Sequence, residues 1–150
     1  MTTDLANPIN ALTHLIIAAA IAVHRELGPG LLESAYQACL EFELMKCSVE
    51  FKRQHPVPLV YQGNHLDCGF RLDFLVADKV IVEVKSVEAI GKIHVAQVIT
   101  YLKLTGLESG LLLNFNVTSL RNGIRRINRR DGETELRTDL DDPQYRGLII

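Results

Sequence analysis

Asp73, Glu83 and Lys85 are the residues of this chain whose types and spacing could do chemistry together. Residues 80–85 read Val-Ile-Val-Glu-Val-Lys, a strand pattern in which Val80, Val82 and Val84 point to one face and Ile81, Glu83 and Lys85 to the other. A carboxylate and an ammonium therefore share a face. Asp73 lies in the preceding β-rich stretch. A three-residue hairpin loop, Ala77-Asp78-Lys79, sets Phe74 opposite Val82 and Asp73 directly opposite Glu83. Two hard oxygen ligands then converge beside one cation, a place for Mg²⁺ or Mn²⁺ with coordination positions left for water and phosphate. Phosphodiester hydrolysis requires such a set: carboxylates to hold the metal, the metal to acidify a water, and a lysine to orient that water or stabilise the transition state. Lys85 is the candidate for that last role. The structural alternative is a cross-strand ion pair on a solvated sheet face, and spacing alone does not separate the two.

The elements that must position these residues follow from periodicity and punctuation. Asn7-Pro8 is a helix start, cap then proline at the first helical position, and the alanine-rich pattern runs to Leu27, where Gly28-Pro29-Gly30 stops it. A second helix is predicted from residue 31 or 32 to about 46, with Leu32, Ala35, Cys39, Phe42 and Leu44 as its apolar face. Residues 49–52, 57–61 and 67–76 are β-rich, separated by His55-Pro56 and by Gln62-Gly63-Asn64. A helix over about 89–105, with Ile93, Ala96, Val98, Ile99 and Leu102 apolar, ends at Gly106. A buried strand at 110–115 and a short one at 123–128 follow, and residues 129–150 read as an irregular tail. The order predicts a single α/β or α+β domain over 1–150, core about 9–126, with a central mixed sheet flanked by helices.

Upstream, Gly30-Leu31-Leu32-Glu33-Ser34-Ala35-Tyr36 places Glu33 and Tyr36 three apart on one helix face, after a glycine that lets the chain turn. Taken alone, Glu33 complements the helix dipole and Tyr36 packs. Together with Phe70-Arg71-Leu72-Asp73-Phe74 and Val82-Glu83-Val84-Lys85-Ser86, however, the motif resembles the GxxExxY family, itself similar to the PD-(D/E)XK nuclease superfamily, over roughly residues 9–126. The resemblance implies a restriction-endonuclease-like αβββαβ core in which Asp73 and Glu83 ligate a divalent metal, the Val84 carbonyl adds a ligand, and Lys85 is catalytic. It implies that Glu33 is an additional acid directed to the metal, and that Gln97 and Tyr101 match the Q-x-x-x-Y signature of exonuclease-like branches. Four apart on a helix, Gln97 and Tyr101 share a face able to reach a DNA backbone or the lysine. The residue before Asp73 is Leu72 where the superfamily's motif has proline.

The remaining composition narrows the partners. A net charge of −2 makes no global polyanion-binding surface, so nucleic-acid contact must be local. Arg71, two before Asp73, is placed to steer phosphate or pair a carboxylate, and His94, three before Gln97, to touch phosphate or lie at the surface. Arg125 and Arg126 belong to the basic cluster with Arg121, Arg129 and Arg130, which either neutralises phosphates or is balanced by Asp131, Glu133 and Glu135. Cys39, Cys47 and Cys68, odd in number and without CxxC spacing, fit reduced thiols and a cytoplasmic protein. The apolar run at 15–23 is cut short by His24, Arg25 and Glu26, so no membrane contact is expected, although the first helix could support a homodimer. Two functions remain in view: a Mg²⁺- or Mn²⁺-dependent nuclease, with DNA the expected substrate, and a catalytically silent nuclease-fold module that binds nucleic acid or protein.

Overall fold

The start predicted at Asn7-Pro8 forms in the computed structural model of the chain, which describes residues 7–137. The Asn7 side chain accepts the Ile9 N–H at 3.0 Å, and α1 (Pro8–Leu27) runs until Gly28 turns the backbone at φ 64°. There follow α2 (Glu33–Lys46), β1 (Phe51–Pro56), β2 (Leu59–Tyr61), β3 (Asn64–Leu66), β4 (Arg71–Val76), β5 (Val80–Lys85), α3 (Lys92–Thr105), β6 (Ser109–Asn114), a 3₁₀ turn (Leu120–Gly123), β7 (Ile124–Arg130) and β8 (Glu133–Arg137). The main sheet has the order β1-β4-β5-β6-β7-β8, with β5 and β6 parallel and every other pair antiparallel. β2 and β3 form a separate hairpin on a two-residue Gln62-Gly63 turn, both residues at positive φ. Helices cover both sheet faces, and the implied αβββαβ core is α2, β1, β4, β5, α3 and β6 with that hairpin inserted.

The alternation expected of β5 holds. Val80, Val82 and Val84 enter the core beneath α1 and α2, with Ile16, Ile17, Tyr36 and Leu40. Ile81 enters the opposite core beneath α3, with Val98, Leu102 and Leu112. By length and composition α1 is apolar enough to cross a bilayer, yet Ile16, Ile17, Ala20 and Val23 are packed in the core, so that face is also not free for a dimer.

Five expectations need correction. The buried stripe of α2 is Tyr36, Leu40 and Leu44, whereas Leu32 and Phe42 are 78% and 62% exposed. Leu32 precedes the helix as its cap, and the Tyr36 ring, stacked on Phe115 at 4.6 Å, orients α2 so that Phe42 faces outward under Lys46. β1 continues through His55-Pro56, because it is the edge strand of its sheet and a proline there leaves no ladder bond unmade. β4 begins only at Arg71, since Asp67 accepts the Gly69 N–H in a local turn at φ 76°, and α3 begins at Lys92, leaving Ile93 74% exposed in its first turn. The tail is not irregular from 129: β7 runs on to Arg130 and pairs with β8 across a turn at Asp131-Gly132, both at positive φ, while 138–150 lie outside the described residues.

α3 lies close to the sheet because β6 carries Gly110 beneath it. A Cβ at Gly110 would stand 2.6 Å from Val98 Cγ1. Gly110→Ala is therefore expected to destabilise the fold by about 1–3 kcal/mol through overpacking. Val98→Ala in the same chain should return part of that loss, and urea unfolding of the single and double variants measures both.

Candidate active site

The loop over residues 77–79 sets the register Val76↔Val80, Leu75↔Ile81 and Phe74↔Val82, the pairing expected from its length. The next pair would be Asp73 with Glu83, and there the backbone ladder stops. Glu83 Oε2 accepts the Asp73 N–H at 2.9 Å, and Asp73 Oδ2 accepts the Val84 N–H at 2.8 Å. On its other side β4 pairs with β1 on both flanks of Asp73, Arg53↔Phe74 and His55↔Leu72, but the pair Gln54 and Asp73 is missing. Gln54 has a left-handed backbone at φ 55°, and its Nε2 donates to Gln37 Oε1 at 2.8 Å and to Asp73 Oδ1 at 3.4 Å. Leu72 joins the core under α3 although Phe74, two residues on, joins the other core. Face alternation thus breaks at Asp73, whose carboxylate is held by side chain and backbone donors from both neighbouring strands.

Glu83 is 2% exposed. Burial, and then the negative charge of Asp73, push its pKa up to about 9, with the Asp73 N–H and the Lys85 charge acting the other way. The cross-strand ion pair does not form. Among the described residues Lys85 makes no salt bridge to either acid; its Nζ donates to Gln97 Oε1 at 3.0 Å. Gln97 Nε2 in turn donates to the Tyr101 hydroxyl at 3.3 Å, whose pKa is raised by burial and by Glu83. α3 thus brings Gln97 to the lysine and Tyr101 to Gln97, on the one helix face that their spacing gives them; of the two targets open to that face, the DNA backbone and the lysine, the bond seen is to the lysine.

Two carboxylates in a like-charge pair, one of them buried, suit a hard divalent cation. No group of three or more His, Cys, Asp or Glu side chains able to hold a metal is found among the described residues, so the donor set is two carboxylates. That is the number with which Mg²⁺ is commonly held, its remaining positions going to water and phosphate. A third protein oxygen is at hand. In a strand the N–H and carbonyl of one residue share an edge, so the Val84 carbonyl faces the edge where its N–H meets Asp73, while the Lys85 carbonyl accepts the Phe115 N–H on the β6 side. The residues present fit the ion.

The model of the PD-(D/E)XK nuclease superfamily matches residues 10–127. The chain belongs to the PD-(D/E)XK nuclease superfamily. Neither the comparison with curated proteins nor that with solved structures gave a match.

The residues that the resemblance to this nuclease superfamily singled out do not all meet. Glu33, expected at the metal, reaches the same end of β5, where its Oε1 accepts the Ser86 N–H at 3.3 Å, but it does not complete an acidic triad. Tyr36 is a tie: its hydroxyl donates to the Gly28 carbonyl at 2.6 Å and accepts the Leu31 N–H at 3.2 Å. Ser86 Oγ closes the same loop by donating to the Leu31 carbonyl at 2.5 Å. His94 Nδ1 accepts the Gly91 N–H at 2.8 Å and so caps α3, which occupies that nitrogen. Arg71 is exposed and donates to the Gln54 carbonyl at 3.4 Å.

The placement of Arg126 on a nucleic-acid surface is wrong. It is 2% exposed, and its guanidinium bonds Asn10 of α1, because β7 turns alternate residues beneath that helix. Arg125 is half-buried, donating to the Asn122 and Ile124 carbonyls. The residues that motif reading missed, Gln37 and Gln54, are uncharged and carry no such signal. Asn114 belongs to Asn114-Phe115-Asn116, which resembles the family's strand ending but had no chemistry assigned to it; at the end of β6 it accepts the Val87 N–H and donates to the Val87 carbonyl, holding the chain that leaves β5. An open groove of about 650 Å³ is lined by Leu31, Glu33, Gln37, Arg53, Gln54 and Ser86; Asp73, Glu83 and Lys85 do not line it, and it meets them only through the Gln54 amide on Asp73 and through Ser86, the residue after Lys85. A cavity of about 740 Å³ lies at the other end of β6, around Asn10, Ser109 and Arg129, away from this chemistry.

Folded protein without metal keeps a proton on Glu83 up to about pH 9 that the unfolded chain, with its carboxyl near 4.5, has released. The folded state binds more protons in that interval, so this group costs nothing below about pH 4.5 and lowers stability progressively as pH rises toward 9. Melting temperatures of wild type and Glu83→Gln, each with chelator, should therefore diverge across that window, the wild type losing more, and Mn²⁺ should reduce the divergence. A pH-independent difference would show that Glu83 ionises as an ordinary carboxylate.

Proposed function

We propose that the chain is a divalent-metal-dependent nuclease that hydrolyses phosphodiester bonds, with DNA as substrate. The observation that carries this reading is the Asp73-Glu83 pair, one acid buried, both bonded into β4 and β5, and neither neutralised by the lysine two residues on. Asp73 and Glu83 would hold Mg²⁺ or Mn²⁺, with the Val84 carbonyl beside them. When bound, the ion supplies charge neutralisation at the scissile phosphate and acidifies a water.

Lys85 carries the catalytic positive charge on this reading. Its three donors allow it to keep the Gln97 bond while a second N–H meets the attacking water or a phosphate oxygen. Gln97 fixes the ammonium and Tyr101 fixes Gln97, so α3 acts as the support of the lysine. The groove of about 650 Å³ that includes Gln54 and Ser86 is the path we assign to the substrate strand on this reading. We also place the chain in the GxxExxY branch, on Gly30 at φ 103°, Glu33 at the Ser86 N–H and Tyr36 tying residues 28 and 31.

The test is a cleavage screen over duplex, single-stranded and branched DNA and matching RNA, with Mg²⁺, Mn²⁺ or chelator. Cutting is expected only with metal. Lys85→Ala should lower the rate by roughly 10²–10³-fold, as loss of one charge-stabilising donor does, with calorimetric Mn²⁺ affinity little changed. Absence of both metal binding and cleavage overturns the proposal, whereas metal binding without cleavage of any substrate favours the silent module.

A further inference from the structure

Gln54 departs from its surroundings in two ways that share one consequence. It is a non-glycine residue in the left-handed region, φ 55°, in the middle of a strand, and it sits where the β1 to β4 ladder skips one pair. No residue is inserted there, since Arg53↔Phe74 and His55↔Leu72 keep one register. A bulge is thus excluded, and the backbone has instead rotated in place. The rotation aims the Gln54 amide at two acceptors, Gln37 Oε1 at 2.8 Å and Asp73 Oδ1 at 3.4 Å. The shorter bond anchors the amide to α2, where Gln37 is 7% exposed, and the longer one rests on Asp73.

We infer that Gln54 is a positioning residue for Asp73: anchored by Gln37, it holds the carboxylate that leaves the β4 ladder, and it retains a strained backbone to do so. The inference rests on the metal-site reading above. It follows from the accounting of Asp73. One oxygen is fixed by the Val84 N–H, and only the Gln54 amide holds the other among the bonds described. A single bond at Oδ2 leaves the carboxylate plane free to turn about it, whereas a second donor on Oδ1 sets the plane and the lone pairs left for a cation. An exposed glutamine with no such duty would relax to an ordinary strand conformation, which the edge position of β1 permits.

The two roles that Gln54 could have are separated by Gln54→Gly. Glycine adopts φ 55° readily, so a residue serving only the backbone turn is replaced without loss, and the melting temperature stays level or rises. Gln54→Met keeps the bulk and the strain, removes the donor, and serves if the glycine variant does not fold. Both variants are expected to weaken Mn²⁺ binding roughly 10–100-fold by calorimetry, the usual effect of losing an outer partner of a metal ligand. In metal-free protein, the Val84 amide, bonded to Asp73, should exchange with solvent roughly tenfold faster while the Leu111 amide is unchanged. Unaltered Val84 exchange overturns the inference. Should wild type bind no Mn²⁺, the metal reading fails on its own, and the Val84 amide still decides whether Gln54 holds Asp73.

Discussion

Two carboxylates bond each other's strands where a backbone ladder would otherwise continue, and the rest of the site depends on that exchange. The Asp73 N–H goes to Glu83 and the Val84 N–H goes to Asp73, so no ladder donor is orphaned when β4 and β5 part. The exchange has a charge cost. It puts two acids side by side, one of them almost wholly shielded from water, and the protein answers by leaving Glu83 protonated unless a cation arrives. Backbone satisfaction and metal affinity are therefore one feature, and a change to either acid disturbs both.

Around this pair, each layer of the fold contributes support from a different direction. β5 and β6 run parallel through α3, which places the carboxyl ends of both strands, the usual position of a site in such a sheet, at the same pole. α3 can lie low there because Gly110 has no Cβ to meet Val98, and it carries Gln97 to Lys85. On the other face, the Tyr36 ring stacks on Phe115, a contact worth about 0.5–1.5 kcal/mol beyond its buried area, while its hydroxyl ties the loop that Ser86 also grips. Asn114 holds Val87 by both its amide groups, as a strand neighbour would. The chain leaving Lys85 is thus restrained on both sides.

The helix start at Asn7, the stop at Gly106, the valine face of β5 and the Phe74 to Val82 register were all legible in the sequence. Each is set by residues within a few positions of one another: a cap, a glycine at positive φ, an alternation, a loop length. Leu32 was misplaced because it precedes α2 as its cap, and Phe42 because α2 has apolar residues on more than one side, between which a distant ring, Phe115, chose. Arg126 looked like a surface cation by its neighbours in sequence, but strand pairing turned it under α1 toward Asn10. Glu33, which the resemblance directs toward the metal, lies at the same end of β5 with its Oε1 on the Ser86 N–H, a placement made by the loop between the first two helices and not by local spacing.

The chemistry of the site was written in the chain as types and spacing. Asp73, Glu83 and Lys85 follow from an alternating strand and a three-residue turn, and Gln97 with Tyr101 from the helical repeat. What only the tertiary structure decided is which charges go unpaired. The lysine turned to Gln97 instead of to the acids, Glu83 was buried, and Gln54, without charge or motif to mark it, came to rest on Asp73. Local spacing determines which side chains share a face. Desolvation and hydrogen-bond partners come from elements far apart in sequence, and only packing brings them together.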